Sequence, residues 1–186
     1  MAEKITDWRG ITLIPSDERL VDETLSESNI GMIRKNLIER IHVKDKPTLF
    51  SFLDENSSPN CVQSISSLNS QLKSIMPIKA AFLGVGEDGH TASLFSGYER
   101  PNNDDKILLS NIKKASELFK RVSLSASYLA KVSKLVFLVS GEKKKSVMER
   151  IFSNNKNTDH FPVCNVIKES IGNVTVLCDQ SAVPND

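Results

Sequence analysis

Apolar positions are grouped along the chain in two kinds of segment, short continuous runs and longer stretches at helical spacing. The short runs predict β-strands at residues 11–15, 80–86, 135–139 and 173–178, with a further short strand at 121–124. The helical stretches begin near residues 29, 62 and 142. Strands that alternate with helices predict an α/β fold, with an open, mostly parallel sheet and helices on both faces.

Three segments of this pattern carry more specific expectations. Residues 80–86 are apolar without interruption, which predicts a central strand that is buried on both faces. Ser28 and Asn29 stand before an apolar-periodic stretch, where either side chain can cap the first turn of a helix. The charged triplet Asp17-Glu18-Arg19 follows the first strand and reads as a turn.

Composition narrows the classes of function. The chain has 186 residues, 39% of them apolar and 25% charged, so we expect one globular domain over residues 1–186. The formal net charge is +1 and both signs are spread along the chain. This distribution argues against a nucleic-acid or membrane-surface partner and favours a small-molecule ligand.

The cysteines and the hydropathy of the chain indicate the cellular compartment in which the protein is expected. The three cysteines lie far apart and form no CxxC pair, which is typical of free thiols in a reducing cytosol. No apolar run approaches the roughly 20 residues of a membrane helix, and the first residues carry no apolar signal core. We therefore expect a cytoplasmic protein.

The segment 84–97, GVGEDGHTASLFSG, follows the predicted central strand and concentrates the candidate chemistry. In open α/β sheets, ligands bind outside the carboxyl ends of the strands, which is where this segment begins. Gly84, Gly86 and Gly89 allow a sharp turn and a close approach of the backbone to a ligand. Backbone N–H groups around Gly86 and Gly89 would then be available to stabilise an oxyanion.

His90 is the candidate general base of this segment. It lies among glycines, the acid Asp88 and the hydroxyls of Thr91 and Ser93, at the mouth of a strand. We expect a helix to start here, so that the two hydroxyls and its free N–H groups favour an anion. A histidine that only holds a turn is the alternative, but these surroundings favour an imidazole that accepts a proton from water.

A dinucleotide site is a second interpretation of the same glycines, because Gly84, Gly86 and Gly89 also satisfy GxGxxG. That motif requires a second strand that ends in an acid about 20 residues on. Asp104 and Asp105 have the spacing but lie in the polar run PNNDDK with no strand before them. The sequence therefore disfavours a dinucleotide.

Three basic residues stand at or near predicted strand ends, where they could hold a phosphate. Arg19 follows the first strand, Arg121 opens the run RVSLS, and Lys144 lies in the Lys-rich segment after the strand 135–139. Any of them could instead be a solvated surface residue. Asp17 or Glu18 could orient a base from the same edge of the sheet.

Taken together, these residues resemble the 6-phosphogluconolactonase family. The resemblance rests on GVGEDGHTASLF, on DER followed by SN, on Arg121 in KRVSLS and on Gly141-x-x-Lys144. It implies a fold shared with glucosamine-6-phosphate deaminases and ribose-5-phosphate isomerases. It also implies hydrolysis of 6-phosphoglucono-1,5-lactone without a metal or other cofactor.

The resemblance implies a role for each matching residue. His90 would activate water, Asp17 or Asp88 would support it, and Arg19, Arg121 and Lys144 would hold the phosphate. The remaining predicted substrate-binding residues are Ser28, Asn29, Gly86, Gly89, Thr91 and Ser93. Because no GxSxG nucleophile motif is present, we expect direct attack by water.

The chain departs from the family pattern in three places, one of which is the absence of the usual prolines ahead of Arg121. It has no glycine-rich GGSTP-like turn ahead of the Trp8 region, so we expect an N-terminally shortened sheet with one phosphate anchor fewer. Ser96 stands where the family normally has proline. A phosphosugar-binding module without turnover is therefore an alternative function, and a hexosamine-6-phosphate deaminase is a further one that Arg19 and Ser93-Leu94-Phe95 disfavour.

Overall fold

The computed structural model describes residues 7–42, 44–54, 61–98, 106–114, 117–153 and 161–184. The strands are β1 (Thr12–Leu13), β2 (Asp17–Arg19), β3 (Thr48–Leu49), β4 (Ala81–Gly84), β5 (Ile107–Lys114), β6 (Glu117–Leu124), β7 (Lys134–Val139) and β8 (Asn173–Cys178). The α-helices are α1 (Asn29–Ile33), α2 (Ile65–Ile75), α3 (Ala126–Leu129), α4 (Lys145–Phe152) and α5 (Pro162–Glu169). A π-helical turn, Arg34–Ile38, extends α1, and a 3-10 turn, Glu142–Lys144, precedes α4.

The strands form three sheets in the described part of the chain. β1 pairs with β3, and β4, β7 and β8 pair in that order, all in parallel. The third sheet, β2-β6-β5, is antiparallel. The α/β class with mostly parallel strands is confirmed, whereas the antiparallel sheet is a feature that the hydrophobic pattern did not predict.

Two predicted helices begin at the expected type of residue. The side chain of Ser28 accepts a hydrogen bond from the backbone N–H of Gly31 and so caps α1. Ser64 caps α2 in the same way, through the N–H of Ser67. Because a capped first turn satisfies otherwise unpaired N–H groups, these serines fix where each helix starts.

The apolar run at β4 is not buried on both faces. Leu83 points into the core, but Phe82 is 63% exposed. On the adjoining strands Leu138 and Leu177 are 50% and 54% exposed, and their register places them beside each other. Periodicity alone cannot tell one covered face from two, and in the described residues β4 lies at the edge of its sheet.

Helices α2 and α3 are joined by a buried hydrogen bond. The hydroxyl of Tyr128 donates to the carbonyl of Leu72 at 2.8 Å, and burial raises the pKa of Tyr128 to about 12.

None of the helices in the described segments is long and apolar enough to cross a membrane.

Replacement of Tyr128 by phenylalanine is expected to lower the free energy of unfolding by about 1 kcal/mol at neutral pH, since one buried hydrogen bond is lost. Tyr128 also makes stability depend on pH, because its folded pKa of about 12 exceeds the ordinary value of 10.0. The contribution of Tyr128 to the free energy of unfolding is complete below pH 10 and is lost as the pH rises through about 12. Urea unfolding of both proteins at several pH values measures this; equal stability and equal pH dependence would contradict it.

Candidate active site

The loop after β4 is folded by its own backbone. The N–H of Gly86 donates to the carbonyl of His90 at 2.8 Å, and the N–H of Gly89 donates to the carbonyl of Gly86 at 3.0 Å. The helix expected after His90 is absent from this stretch. Thr91 and Leu94 instead form an isolated bridge, closed by a hydrogen bond from the Leu94 N–H to the Thr91 carbonyl.

His90 forms a close pair with Asp88. The distance from Nδ1 of His90 to Oδ1 of Asp88 is 2.5 Å, and both side chains are partly exposed. Burial raises the pKa of Asp88, but hydrogen bonds from the side chain and backbone of His90, together with its charge, outweigh this effect and lower it. An ionised Asp88 holds the proton of His90 on Nδ1, which leaves Nε2 able to accept a proton.

Packing within the protein explains two of the glycines. A Cβ at Gly86 would overlap the imidazole ring of His90 and approach Oδ1 of Asp88 at 2.5 Å. Gly89 has φ +77°, and a Cβ there would lie 2.5 Å from the ring of Phe161. Both N–H groups already donate to carbonyls of the loop, so these glycines shape the loop, and the expected oxyanion role has no free donor at either position.

The two hydroxyls beside His90 are buried and hold the loop in place. Oγ1 of Thr91 donates to the carbonyl of Gly84 at 2.9 Å, and Oγ of Ser93 donates to Oδ2 of Asp17 at 2.5 Å. Both residues are 0% exposed. They therefore lie behind the surface that a ligand would reach, and Ser93 connects the His90 loop to β2.

The triplet Asp17-Glu18-Arg19, expected as a turn, forms strand β2. It pairs antiparallel with β6, and the register places Arg19 directly opposite Arg121. A three-residue strand is too short to show a period, and its partner strand lies far along the chain. Local sequence reasoning therefore had no signal for this pairing.

Arg19 and Arg121 bring two positive charges together at this edge. Nη1 of Arg121 lies 3.8 Å from Oδ2 of Asp17 and donates to Oγ of Ser93 at 3.3 Å. Burial lowers the pKa of Arg121, and the charge of Arg19 lowers it further, against the opposing effect of Asp17 and Glu18. A bound anion reduces the electrostatic repulsion between two adjacent positive charges. This arginine pair is therefore a candidate phosphate site.

Phe95 lies between this cation pair and the candidate base His90, and the sequence analysis did not identify it as a functional residue. Its ring stacks on the imidazole of His90, with centroids 4.6 Å apart and planes at 29°. The Cζ atom of Arg121 lies 5.7 Å from the centroid of the same ring. Its position five residues after a candidate base, within the quoted SLF motif, is the sequence signal that could have identified it.

Asp17, Ser28 and Asn29 support the arginines. Asp17 and Asp88 were both expected as possible partners of His90. Asp88 makes that hydrogen bond, whereas Asp17 contacts Ser93 and Arg121. The Oδ1 atom of Asn29 accepts a hydrogen bond from Nη1 of Arg19 at 2.8 Å. Ser28 acts through the cap of α1 described above.

Lys144 lies on the 3-10 turn that follows β7. Because β4 and β7 are parallel neighbours, this turn leaves the same edge of the sheet as the His90 loop. Asp179, just after β8, accepts hydrogen bonds from the Ser140 side chain and the Gly141 N–H. Hydrogen bonds from Ser140 and Ser181 are the largest effects that lower the pKa of Asp179 to about 2, so a carboxylate braces the turn that carries Lys144.

Among the residues that the structure describes, no group of three or more His, Cys, Asp or Glu side chains could hold a metal ion. Asp104 and Asp105, considered above for a dinucleotide, lie outside the described residues.

Comparison with known proteins identifies the family. The family model described as glucosamine-6-phosphate isomerases/6-phosphogluconolactonase matches residues 1–176. The chain belongs to this family. A relative from Haemophilus influenzae named 6-phosphogluconolactonase is 28% identical over 98% of this chain and 76% of its own length. A relative of the same name from Caulobacter vibrioides is 26% identical over 95% of this chain and 75% of its own length.

Solved structures of the family have the same fold. The 6-phosphogluconolactonase of Trypanosoma brucei matches with a TM-score of 0.73 and 24% identity, over 91% of this chain and 72% of that one. At this identity the likeness concerns the fold alone, and the choice among activities of the family depends on the residues of the site.

Proposed function

We propose that the chain hydrolyses 6-phosphoglucono-1,5-lactone to 6-phosphogluconate, the second step of the oxidative pentose phosphate pathway. The observation that carries this proposal is the shared contact at Phe95. His90, which pairs with Asp88, stacks on the ring, and the partly buried Arg121, with Arg19 opposite it on β2, lies near the same ring. A candidate base and a pair of arginines that share one neighbouring ring suit a small substrate with a phosphate at one end and an ester at the other. The names of the relatives agree with this choice.

In the proposed reaction His90 acts as the general base. Asp88 holds the Nδ1 proton, and Nε2 accepts a proton from a water molecule as that water attacks the lactone carbonyl carbon. No covalent enzyme intermediate is needed, because a ring ester is reactive towards a positioned water. Ser93 is buried and bonded to Asp17, which argues against a serine nucleophile.

The second half of the reaction returns the proton. The tetrahedral intermediate collapses, the bond between the carbonyl carbon and the ring oxygen breaks, and the leaving alkoxide takes the proton from His90. The product carries a carboxyl group, which ionises in water, and a free hydroxyl. His90 is then neutral again with its proton on Nδ1, as at the start.

Arg19 and Arg121 would bind the phosphate, with Lys144 as a third cation from the neighbouring turn. A guanidinium donates paired hydrogen bonds to a phosphate, and partial burial strengthens the attraction. The Nε atom of Arg121 is buried without a hydrogen-bond partner in the described residues. This unpaired donor supports a ligand at Arg121.

The experiment that tests the function compares two lactones on wild type and on Arg121→Met. We expect wild type to accelerate hydrolysis of freshly prepared 6-phosphoglucono-1,5-lactone, and Arg121→Met to raise its KM by about 10- to 100-fold, the effect of losing charge-assisted hydrogen bonds. Slow hydrolysis of unphosphorylated glucono-1,5-lactone should be equal in both proteins.

Each contrary outcome has a distinct meaning. Binding of 6-phosphogluconate without turnover by wild type would contradict the lactonase and support the phosphosugar-binding module. An equal loss on both lactones would show that Arg121 does not act through the phosphate. Ammonia release from glucosamine 6-phosphate would favour the deaminase.

We also propose that this reaction takes place in the cytosol. Cys61, Cys164 and Cys178 are free thiols, which persist in a reducing compartment.

A further inference from the structure

Glu18 is a fully buried carboxylate in the middle of β2. It is 0% exposed and lies between Asp17 and Arg19. A buried carboxylate is unfavourable unless its oxygens accept hydrogen bonds. Because Glu18 lies between two residues of the proposed site, its hydrogen bonds can influence the geometry of that site.

Both oxygens of Glu18 are fully used. Oε1 accepts the backbone N–H groups of Arg19 and Asn29, each at 2.8 Å. Oε2 accepts the N–H of Ile30 at 2.6 Å and the hydroxyl of Ser28 at 3.2 Å. One side chain therefore fastens the first turn of α1 to the strand that carries Arg19.

The link continues from Asn29 to the guanidinium of Arg19. Oδ1 of Asn29 accepts a hydrogen bond from Nη1 of Arg19 at 2.8 Å, and Nδ2 of Asn29 donates to the carbonyl of Asp17 at 2.7 Å. The carbonyl of Glu27 accepts a second hydrogen bond from Nη1, at 3.1 Å. The segment 27–29 thus orients Arg19, and Glu18 holds that segment in place.

We infer that Glu18 is a positioning residue that sets the Arg19 guanidinium for the phosphate of the substrate. The inference rests on the proposed function, because it assigns Arg19 to phosphate binding. It differs from the sequence expectation that Glu18 orients a base, since its four hydrogen bonds lead to Arg19 and the start of α1. Its negative charge also lies close enough to act on Arg121, which helps the two arginines to remain adjacent without a ligand.

The test is Glu18→Gln, with Tyr128→Phe as a control that loses a buried hydrogen bond away from the site. The amide has nearly the same shape, but its NH₂ group would face N–H or O–H donors. We expect KM for the phosphorylated lactone to rise roughly tenfold, the lower range for a misplaced charge-assisted hydrogen bond, while kcat changes by less than about threefold. Affinity for 6-phosphogluconate, measured by titration calorimetry, should fall by the same factor. Tyr128→Phe should change neither.

A purely structural role predicts a different result. Glu18→Gln would then lower the thermal midpoint and the active fraction, with KM and product affinity equal to wild type, and this would overturn the inference. A double-mutant cycle with Arg19→Gln gives a second criterion. In the Arg19→Gln background, Glu18→Gln should lower product affinity by much less than it does in the wild-type background, and additive losses would also overturn it.

Two further measurements keep the outcomes separate. If Glu18→Gln does not fold, Asn29→Ala retains the backbone donors to Glu18 but removes the acceptor for Arg19; unchanged KM and product affinity in that variant would overturn the inference. If wild type binds 6-phosphogluconate but does not hydrolyse the lactone, the proposed function fails while product affinity still tests Glu18. Absence of binding by wild type would overturn both.

Discussion

Alanine at position 90 is expected to lower kcat for 6-phosphoglucono-1,5-lactone by roughly 10²- to 10⁴-fold, the range that a positioned general base contributes. The reason is local: His90 is bonded to Asp88 through Nδ1 at 2.5 Å, and Nε2 is left to accept the proton of the attacking water. KM should change little, because Arg19 and Arg121 keep their places on the antiparallel sheet.

The lactone hydrolyses spontaneously, so the rate without enzyme must be subtracted at each substrate concentration. His42→Ala is the matched control, since His42 is exposed and takes no part in the proposed site; it should have wild-type kcat. The His90→Ala protein should still bind 6-phosphogluconate. Equal kcat in His90→Ala and wild type would exclude His90 as the base, whatever the substrate affinity.

Gly86→Ala is expected to lower kcat by on the order of 10²-fold, although residue 86 contributes no functional group to the reaction. The new methyl group would overlap the imidazole of His90 and crowd Asp88. The ring must then move away from its place beside Phe95. Displacement of a reacting group by about 1 Å can cost this much rate, and KM should again change little.

Gly84→Ala provides the matched control for this prediction. It lies two residues earlier, and a Cβ there would meet nothing within 4 Å. We expect Gly84→Ala to have kcat and thermal stability close to wild type. Steady-state kinetics on both variants, with circular dichroism to verify folding, make the comparison. If both variants behaved alike, the close packing of His90 on Gly86 would have no part in catalysis.

The proposed site is assembled from two structural units with different tasks. The loop after β4, on a parallel sheet, carries His90 and Asp88, the proposed base and its carboxylate partner. The antiparallel sheet β2-β6-β5 supplies the paired arginines. Ser93 and Phe95 connect the units, one through a buried hydrogen bond to Asp17 and the other through contacts with His90 and Arg121. Substitutions at these two connecting residues are therefore informative about how base and anion site are aligned.

Local sequence patterns were sufficient to predict part of the fold. Strand β8 has the predicted bounds, 173–178, and β7 begins one residue before the predicted strand. A helix cap at Ser28 or Asn29 was also predicted, and Ser28 provides it. These features depend on side chains within a few positions of one another, and such patterns are visible along the chain.

The sequence failed where burial depends on distant segments. It placed the hydroxyls of Thr91 and Ser93 and the glycine N–H groups at a ligand surface, but their hydrogen bonds are made within the protein. It also read residues 80–86 as buried on both faces, whereas Phe82 is exposed. An apolar or polar residue type does not determine which neighbour covers it.

For the candidate site, the sequence by itself determined that Asp88 is within reach of His90, because two residues in one turn can contact each other without the rest of the fold, but it left Asp17 as an alternative partner. Only the tertiary structure decided that Arg19 lies opposite Arg121, that Phe95 connects Arg121 with His90, and that Glu18 is buried under α1. Each of these depends on strand register and on packing between segments far apart along the chain, where the sequence shows no period or spacing to read.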